Sequence, residues 1–254
     1  MRPIFCSRRH RGFTLVELTI VLIIVGLLVG GMTVALSSLQ DSANIKETQR
    51  RIALAHEALL GFAASNGRLP CPAAAPNAGG SESPSTGTGA CTAALDGFLP
   101  GTTLGLSPSD EQGYFLDAWG NRIRYMVFNG AILDIYAVSH TNVFTTAGKM
   151  KQLGLETLAT NPSPNPRKLL YVCDPTTGSI AAADCGTART LTDNAVAIIY
   201  SMGKNGGVAA SGDEAANTNG DIVFVNMASQ SFDDIVTWLS PNVLYNRMIA
   251  AGRF

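Results

Sequence analysis

The stretch from Phe13 to Leu36, FTLVELTIVLIIVGLLVGGMTVAL, carries one charge, Glu17. A predominantly apolar run of roughly 24 residues is long enough to cross a bilayer as a helix. Arg2, Arg8, Arg9 and Arg11 precede the run, with no acidic residue among the first twelve. That basic flank predicts a leader on the cytoplasmic side and an exported remainder. A secretory signal would end in a small-x-small cleavage site, which LLVGGMTVALSS loosely supplies. A plain signal anchor also fits the hydropathy. Neither accounts for Glu17, because a lone carboxylate costs roughly 2.5–3.5 kcal/mol near the bilayer centre. Snorkelling to the cytoplasmic headgroups is the local way to meet that cost.

Order, spacing and flanks carry a more specific message. A short basic leader ends in Gly12; Phe13 follows, and a glutamate stands at the fifth position after the glycine. RGFTLVELTIVLIIVGLL, Arg11 to Leu28, resembles the class III leader of type IV pilins and type II secretion pseudopilins. The resemblance covers at most the first quarter of the chain. It implies that a prepilin peptidase cuts between Gly12 and Phe13, that the Phe13 amine is methylated, and that the apolar helix is kept as membrane anchor and filament core. It also implies other pilin or pseudopilin subunits, an inner-membrane assembly platform and the lipid bilayer as partners. The expected location is the bacterial inner membrane, single pass, with the head in the periplasm, and then the filament. Glycine before the cut leaves room for a peptidase. A cationic amine from a neighbouring chain would offset the cost of Glu17, strengthened by hydrogen bonding and low dielectric. Many major pilins carry a proline about nine residues beyond Gly26; Val34 and Ala35 stand here.

The helix is expected to continue past the membrane, from about Thr14 to Ser65. Ile45, Ile52, Ala55, Leu59, Phe62 and Ala63 recur at helical spacings, and Lys46, Glu47, Arg50 and Arg51 fill much of the remainder. This reads as one packed face and one solvated or filament-contacting face. Asn66–Gly67 and Pro70 supply the stop. The organisation is therefore a leader at 1–12, a transmembrane or filament-core helix at 13–36, its amphipathic half at 37–65 and a globular head at 66–254. Strand candidates in the head are NRIRYMVF, AILDIYAV, KLLYVC, AVAIIYS and DIVFVN, punctuated by turn residues. The fold class is α+β: a long N-terminal helix packed on a mostly antiparallel sheet, pilin-like. Ser240, Pro241 and Gly252 bracket a C-terminal helix with Leu244, Met248 and Ile249 on its apolar side. FDDIVTWLS before it fits strand or helix.

Net charge is −1; without the four leader arginines, 18 less 4 leaves 14 basic residues against 19 acidic, a net of −5. Nothing there indicates nucleic acid. Of five cysteines, Cys6 lies in the leader, and Cys71, Cys91, Cys173 and Cys185 form an even set. In an exported chain these read as two disulfides, most simply Cys71–Cys91 and Cys173–Cys185. DAWGNRIRY, Asp117 to Tyr125, resembles the Asp-x-Trp-Gly signature of major pseudopilins and is read as a structural turn anchored by Trp119, not a ligand pocket. Pseudopilins of that class often place a calcium loop late in the chain. In GKNGGVAASGDEAANTNGD the oxygen donors include Asp213, Asn217, Asn219 and Asp221, of the hard type calcium takes, although the spacing is not an EF-hand. No cofactor is otherwise required. Catalytic signatures are lacking: no nucleophile elbow, Walker loop, dinucleotide fingerprint or zinc helix occurs. Asp233–Asp234, if in a strand, would point to opposite faces. The expected function is a structural filament subunit, a minor pilin or pseudopilin, rather than an enzyme. The alternative is a filament-displayed binding module, an adhesin or DNA-uptake component.

Overall fold

The computed structural model describes residues 12–74, 79–85, 89–134, 136–159, 168–206, 212–229 and 232–254. The leader up to Arg11 with Cys6, the stretch 161–166 and residues 207–211 of the late polar loop lie outside this set. So do the side chains of residues 29, 31–38, 156, 157 and 159. The chain divides into two compact units, Met1–Asn44 and Ile45–Phe254, taken in turn.

Helix α1 is Leu15–Asn66. It starts one residue after Thr14 and stops where Gly67 adopts φ +69°, its N–H donating to Ala63 O at 2.8 Å. In the first unit the apolar side chains from Phe13 to Leu28 are exposed. Among the described residues no helix is long and apolar enough to cross a membrane. The run expected to do so passes through the side chains outside the description.

In the second unit α1 turns amphipathic. Thr48, Ile52, Ala55, Leu59, Leu60 and Ala63 are buried, whereas Ile45 is exposed. Arg51, expected on the wet side, is turned into the head instead. It pairs with Glu47 at 2.8 Å and donates to the carbonyls of Leu116 at 3.1 Å and Asp117 at 2.6 Å. Its long stem packs while its fork finds backbone acceptors.

The head then runs β1 (Gly97–Phe98), the short helix α2 (Gly101–Leu104), β2 (Arg124–Val127), the hairpin β3–β4 (Ile132–Leu133 and Ser139–His140), α3 (Lys149–Ala159), β5 (Leu170–Asp174), β6 (Arg189–Ala195), β7 (Ala197–Ser201), β8 (Val223–Val225), β9 (Ile235–Leu239) and α4 (Pro241–Ala250). One antiparallel sheet has the order β1-β2-β7-β9. All five residues of β7 are buried, as expected of a strand covered on both faces. A second sheet, β6-β5-β8, contains a parallel pair, β5 with β8. The single mostly antiparallel sheet expected from sequence is thus three separate pairings. AILDIYAV, expected as one strand, folds back on itself because Asp134 caps a turn, accepting from the N–H groups of Tyr136 and Val138 at 2.9 Å. The ambiguous FDDIVTWLS contributes strand β9 from Ile235 onward. Helix α3 had no sequence counterpart: Gly154 kinks it at φ +74°, which breaks the helical periodicity. In α4, Pro241 is the first helical residue but Ser240 makes no side-chain cap. Leu244, Tyr245 and Met248 are buried and Ile249 is exposed, so Tyr245 takes the place expected for Ile249.

Both disulfides form with the local pairing, Cys71–Cys91 and Cys173–Cys185, at Cα separations of 5.3 and 5.5 Å. Loops of this length are worth about 3 kcal/mol each in the chain-entropy picture. Cys71–Cys91 encloses Glu82, whose carboxylate receives both arms of the Arg68 guanidinium at 2.7 Å and the Cys71 N–H at 3.1 Å. Both residues are buried, and the Arg68 guanidinium also lies 5.1 Å from the Phe62 ring. The base of the head, the loop and the end of α1 are fixed together by this one pair.

Candidate assembly segment and the acidic corner

Gly12 and Phe13 lie in non-helical backbone immediately before α1, and Phe13 is 84% exposed. Thr14 stands at the N-cap. The Glu17 N–H donates to Thr14 Oγ1 at 3.2 Å, and Glu17 Oε2 receives the Thr14 hydroxyl at 3.4 Å and, at the 3.5 Å limit, the Thr14 N–H. This reciprocal arrangement is a capping box. A carboxylate at the start of a helix also faces the positive end of its dipole. Thr14 is therefore a capping residue that sequence reasoning passed over. The signal was present in TLVE, a threonine three places before a glutamate. Within one chain, Glu17 has a local task in addition to any pairing with a neighbour.

The turn at Asp117 is a buried polar node of the head. Asp117 is buried; Oδ1 accepts the N–H groups of Trp119 at 2.9 Å and Asn121 at 2.8 Å, and Oδ2 accepts the Ser201 hydroxyl. Ala118 N–H reaches Thr48 Oγ1 on α1 at 3.1 Å, and Asn121 Nδ2 reaches Gly203 O at 2.7 Å. Gly120 takes φ +87°, a conformation that favours glycine. The structural role expected for this motif is what the geometry performs. Trp119 goes further than expected: it is half-buried and walls a cavity of about 610 Å³ together with Ile45, Lys204, Phe232, Asp233 and Ile235.

Three of the four oxygen donors expected for calcium accept backbone N–H groups of the chain itself. Asn217 Oδ1 accepts the Val225 N–H at 2.7 Å, Asn219 Oδ1 the Asp221 N–H at 2.9 Å, and Asp221 Oδ1 the Val223 N–H at 2.7 Å. Asp213 opens the 3-10 turn Gly212–Thr218 at the surface. The fold gathers other carboxylates instead: Glu214, Asp233 and Asp234 each place an oxygen within 4.8 Å of the others. Asp233 and Asp234 precede β9, so strand alternation does not separate them.

Burial pushes the Asp234 carboxyl up to about 7, against the hydrogen bond from Asn217 Nδ2 at 2.7 Å and with help from Glu214 and Asp233. Its unfolded value is about 3.9. The folded chain therefore keeps a proton that the unfolded chain releases between about pH 4 and pH 7. The stability this confers is full below pH 4 and is lost as pH rises through 7, up to about 4 kcal/mol. Asp234→Asn retains an acceptor for Asn217 without the charge. Melting temperature followed from pH 5 to pH 8 should fall for the parent and stay nearly flat for the variant, which should be the more stable of the two at pH 8. Parallel curves would remove this assignment.

Two histidines remain in the described head. His140 Nε2 lies 3.1 Å from Asp134 Oδ2 in the β3–β4 hairpin. His56 lines an open groove between α1 and β9, and burial lowers its pKa. Among the described residues the only cluster of metal-ligating side chains is the acidic corner.

No curated protein and no solved structure matches the chain. A family described as the prokaryotic N-terminal methylation motif does match, over residues 7–33. The segment that contains Gly12, Phe13, Thr14 and Glu17 is a prepilin-type signal of the type IV pilin and pseudopilin kind.

Proposed function

We propose that the chain is a structural subunit of a type IV pilus or type II secretion filament. A prepilin peptidase cuts it between Gly12 and Phe13, and the apolar start of α1 holds it in the inner membrane with the head outside. Subunits then pack through that helix, Glu17 meeting the Phe13 amine of a neighbour. The observation that carries this reading is the methylation motif at residues 7–33, set directly on the start of a 52-residue helix. Exposed apolar side chains from Phe13 to Leu28 support it, since such a surface needs lipid or other helices around it. A bulky head with two disulfides favours a minor subunit, because a tip or priming position accommodates bulk more easily than a crowded shaft.

N-terminal sequencing tests the cut. Protein from cells that contain the peptidase should begin at Phe13, and protein from cells without it should keep the leader. An unchanged N-terminus in both, or a cut near Ala35, would sink the reading.

A further inference from the structure

Asparagine is followed by glycine at Asn66–Gly67, Asn129–Gly130, Asn205–Gly206 and Asn219–Gly220. Glycine has no Cβ to shield its amide nitrogen, so the amide of the preceding side chain lies open to it. The four pairs differ in how the asparagine side chain is held. Asn66 Nδ2 donates to Phe62 O at 2.9 Å, and the Gly67 N–H is taken by Ala63 O. Asn205 Nδ2 donates to Glu214 Oε2 at 2.9 Å, and the Gly206 N–H points to Gly203 O at the 3.5 Å limit. Asn219 is held at both ends, Nδ2 donating to Asp221 Oδ2 at 2.7 Å and Oδ1 accepting the Asp221 N–H at 2.9 Å. Asn129 stands apart: among the described residues neither its side chain nor the Gly130 N–H has a hydrogen-bond partner.

The pair lies half-buried in the connection between β2 and β3. Its main chain is anchored, since the Phe128 N–H reaches Val196 O at 2.9 Å and the Asn142 N–H reaches Asn129 O at 3.4 Å. Packing holds the glycine in place. A Cβ on Gly130 would fall 2.6 Å from the Phe128 ring, which is buried edge to face against Phe144. The fold thus keeps the glycine that makes the asparagine labile and leaves the asparagine amide free to turn. We infer that Asn129–Gly130 is a self-modification site, at which Asn129 becomes aspartate and isoaspartate in the folded chain. The Gly130 nitrogen gives up its proton and attacks Asn129 Cγ. An N–Cγ bond forms, the Cγ–Nδ2 bond breaks, and the proton leaves with Nδ2 as ammonia. Water then opens the succinimide ring at either carbonyl. No oxidant, metal or partner protein enters the balance. Because the first step removes an amide proton, the rate rises with pH. The product carries a new negative charge. Its iso form also routes the main chain through the former side chain, adding one methylene between β2 and the β3–β4 hairpin.

The reaction needs no filament, so its test is independent of the filament reading. The full chain, with both disulfides intact, is held in detergent micelles at mildly alkaline pH beside a reduced and denatured sample. Peptide mapping by mass spectrometry follows each amide. In the denatured sample every Asn–Gly peptide should gain about one dalton and resolve into two isomers. In the folded sample the Asn129 peptide should convert at nearly the denatured rate. Peptides with Asn66, Asn205 and Asn219 should convert roughly fivefold more slowly or less, because a side-chain hydrogen bond must open first. Asn129→Gln keeps the amide but needs a six-membered ring, so its peptide should stay unchanged. A folded chain whose Asn129 keeps its amide while the denatured chain converts would overturn the assignment. So would equal conversion at all four pairs, or a single product at Asn129, which would mean direct hydrolysis without ring closure.

Discussion

Replacing Glu17 by alanine is expected to leave cleavage before Phe13 intact and to cut incorporation into filaments tenfold or more. An unpaired carboxylate in hydrocarbon costs roughly 2.5 kcal/mol or more, and 1.4 kcal/mol is a factor of ten. On the proposed pairing, a neighbour's amine offsets that cost and so supplies a large part of the register energy. The capping box offers a rival explanation that the same experiment can separate. Glu17→Gln keeps the reciprocal hydrogen bonds with Thr14, because glutamine serves at that position as glutamate does, but it removes the charge. Thr14→Ala removes the cap, at about 1 kcal/mol, and leaves the carboxylate. If pairing with a neighbour dominates, Glu17→Gln fails to assemble nearly as badly as Glu17→Ala, and Thr14→Ala assembles with a modest loss. If capping is the whole role, Glu17→Gln behaves like the parent. Counting subunits in sheared filaments against those left in the membrane decides between them.

The second large effect lies at Arg68 and Glu82. Glu82→Ala strands a buried guanidinium that keeps only its bond to Leu69 O and its place beside Phe62. Breaking a buried ion pair from one side costs about 3–5 kcal/mol. For a domain of this size that is on the order of 10 °C in melting temperature. Glu82 also accepts the Cys71 N–H, so its loss leaves a donor at the disulfide without its acceptor. Replacing both partners, Arg68→Met with Glu82→Met, should cost less than Glu82→Ala alone, since no charge is then left buried. A double variant less stable than the single would show that specific bonding here outweighs desolvation.

The stem was the most legible part of the chain. An apolar run, a basic flank, Gly12, Phe13 and Glu17 carry its resemblance to a prepilin-type signal, which the methylation motif at residues 7–33 bears out. The end of α1 at Asn66 followed from Gly67, and both disulfides followed from local pairing. What escaped was information that depends on distant residues. Arg51 reads as a surface cation until the carbonyls of Leu116 and Asp117 are placed beside it. Asp233 and Asp234 read as opposed until β9 is seen to start after them. Helix α3 hides because Gly154 interrupts its period, and the β3–β4 hairpin hides because a β-rich run bends at Asp134. The capping box was legible in TLVE, but the prominence of Glu17 as a paired charge drew attention from its neighbour.

Helix α4 binds the chain's early residues to late ones. Arg247 reaches Glu57 at 2.6 Å, 190 positions away, and Arg253 donates to the carbonyls of Ala64 and Ser65. The half of α1 in the head is thus held in place by residues made some 190 positions after it. Until then Leu59 and Ala63, buried in the finished fold, have no complete cover. On the filament reading proposed above, this sets a timing constraint: the head must be closed by its last helix before the next subunit arrives, or the helices will meet in the wrong order.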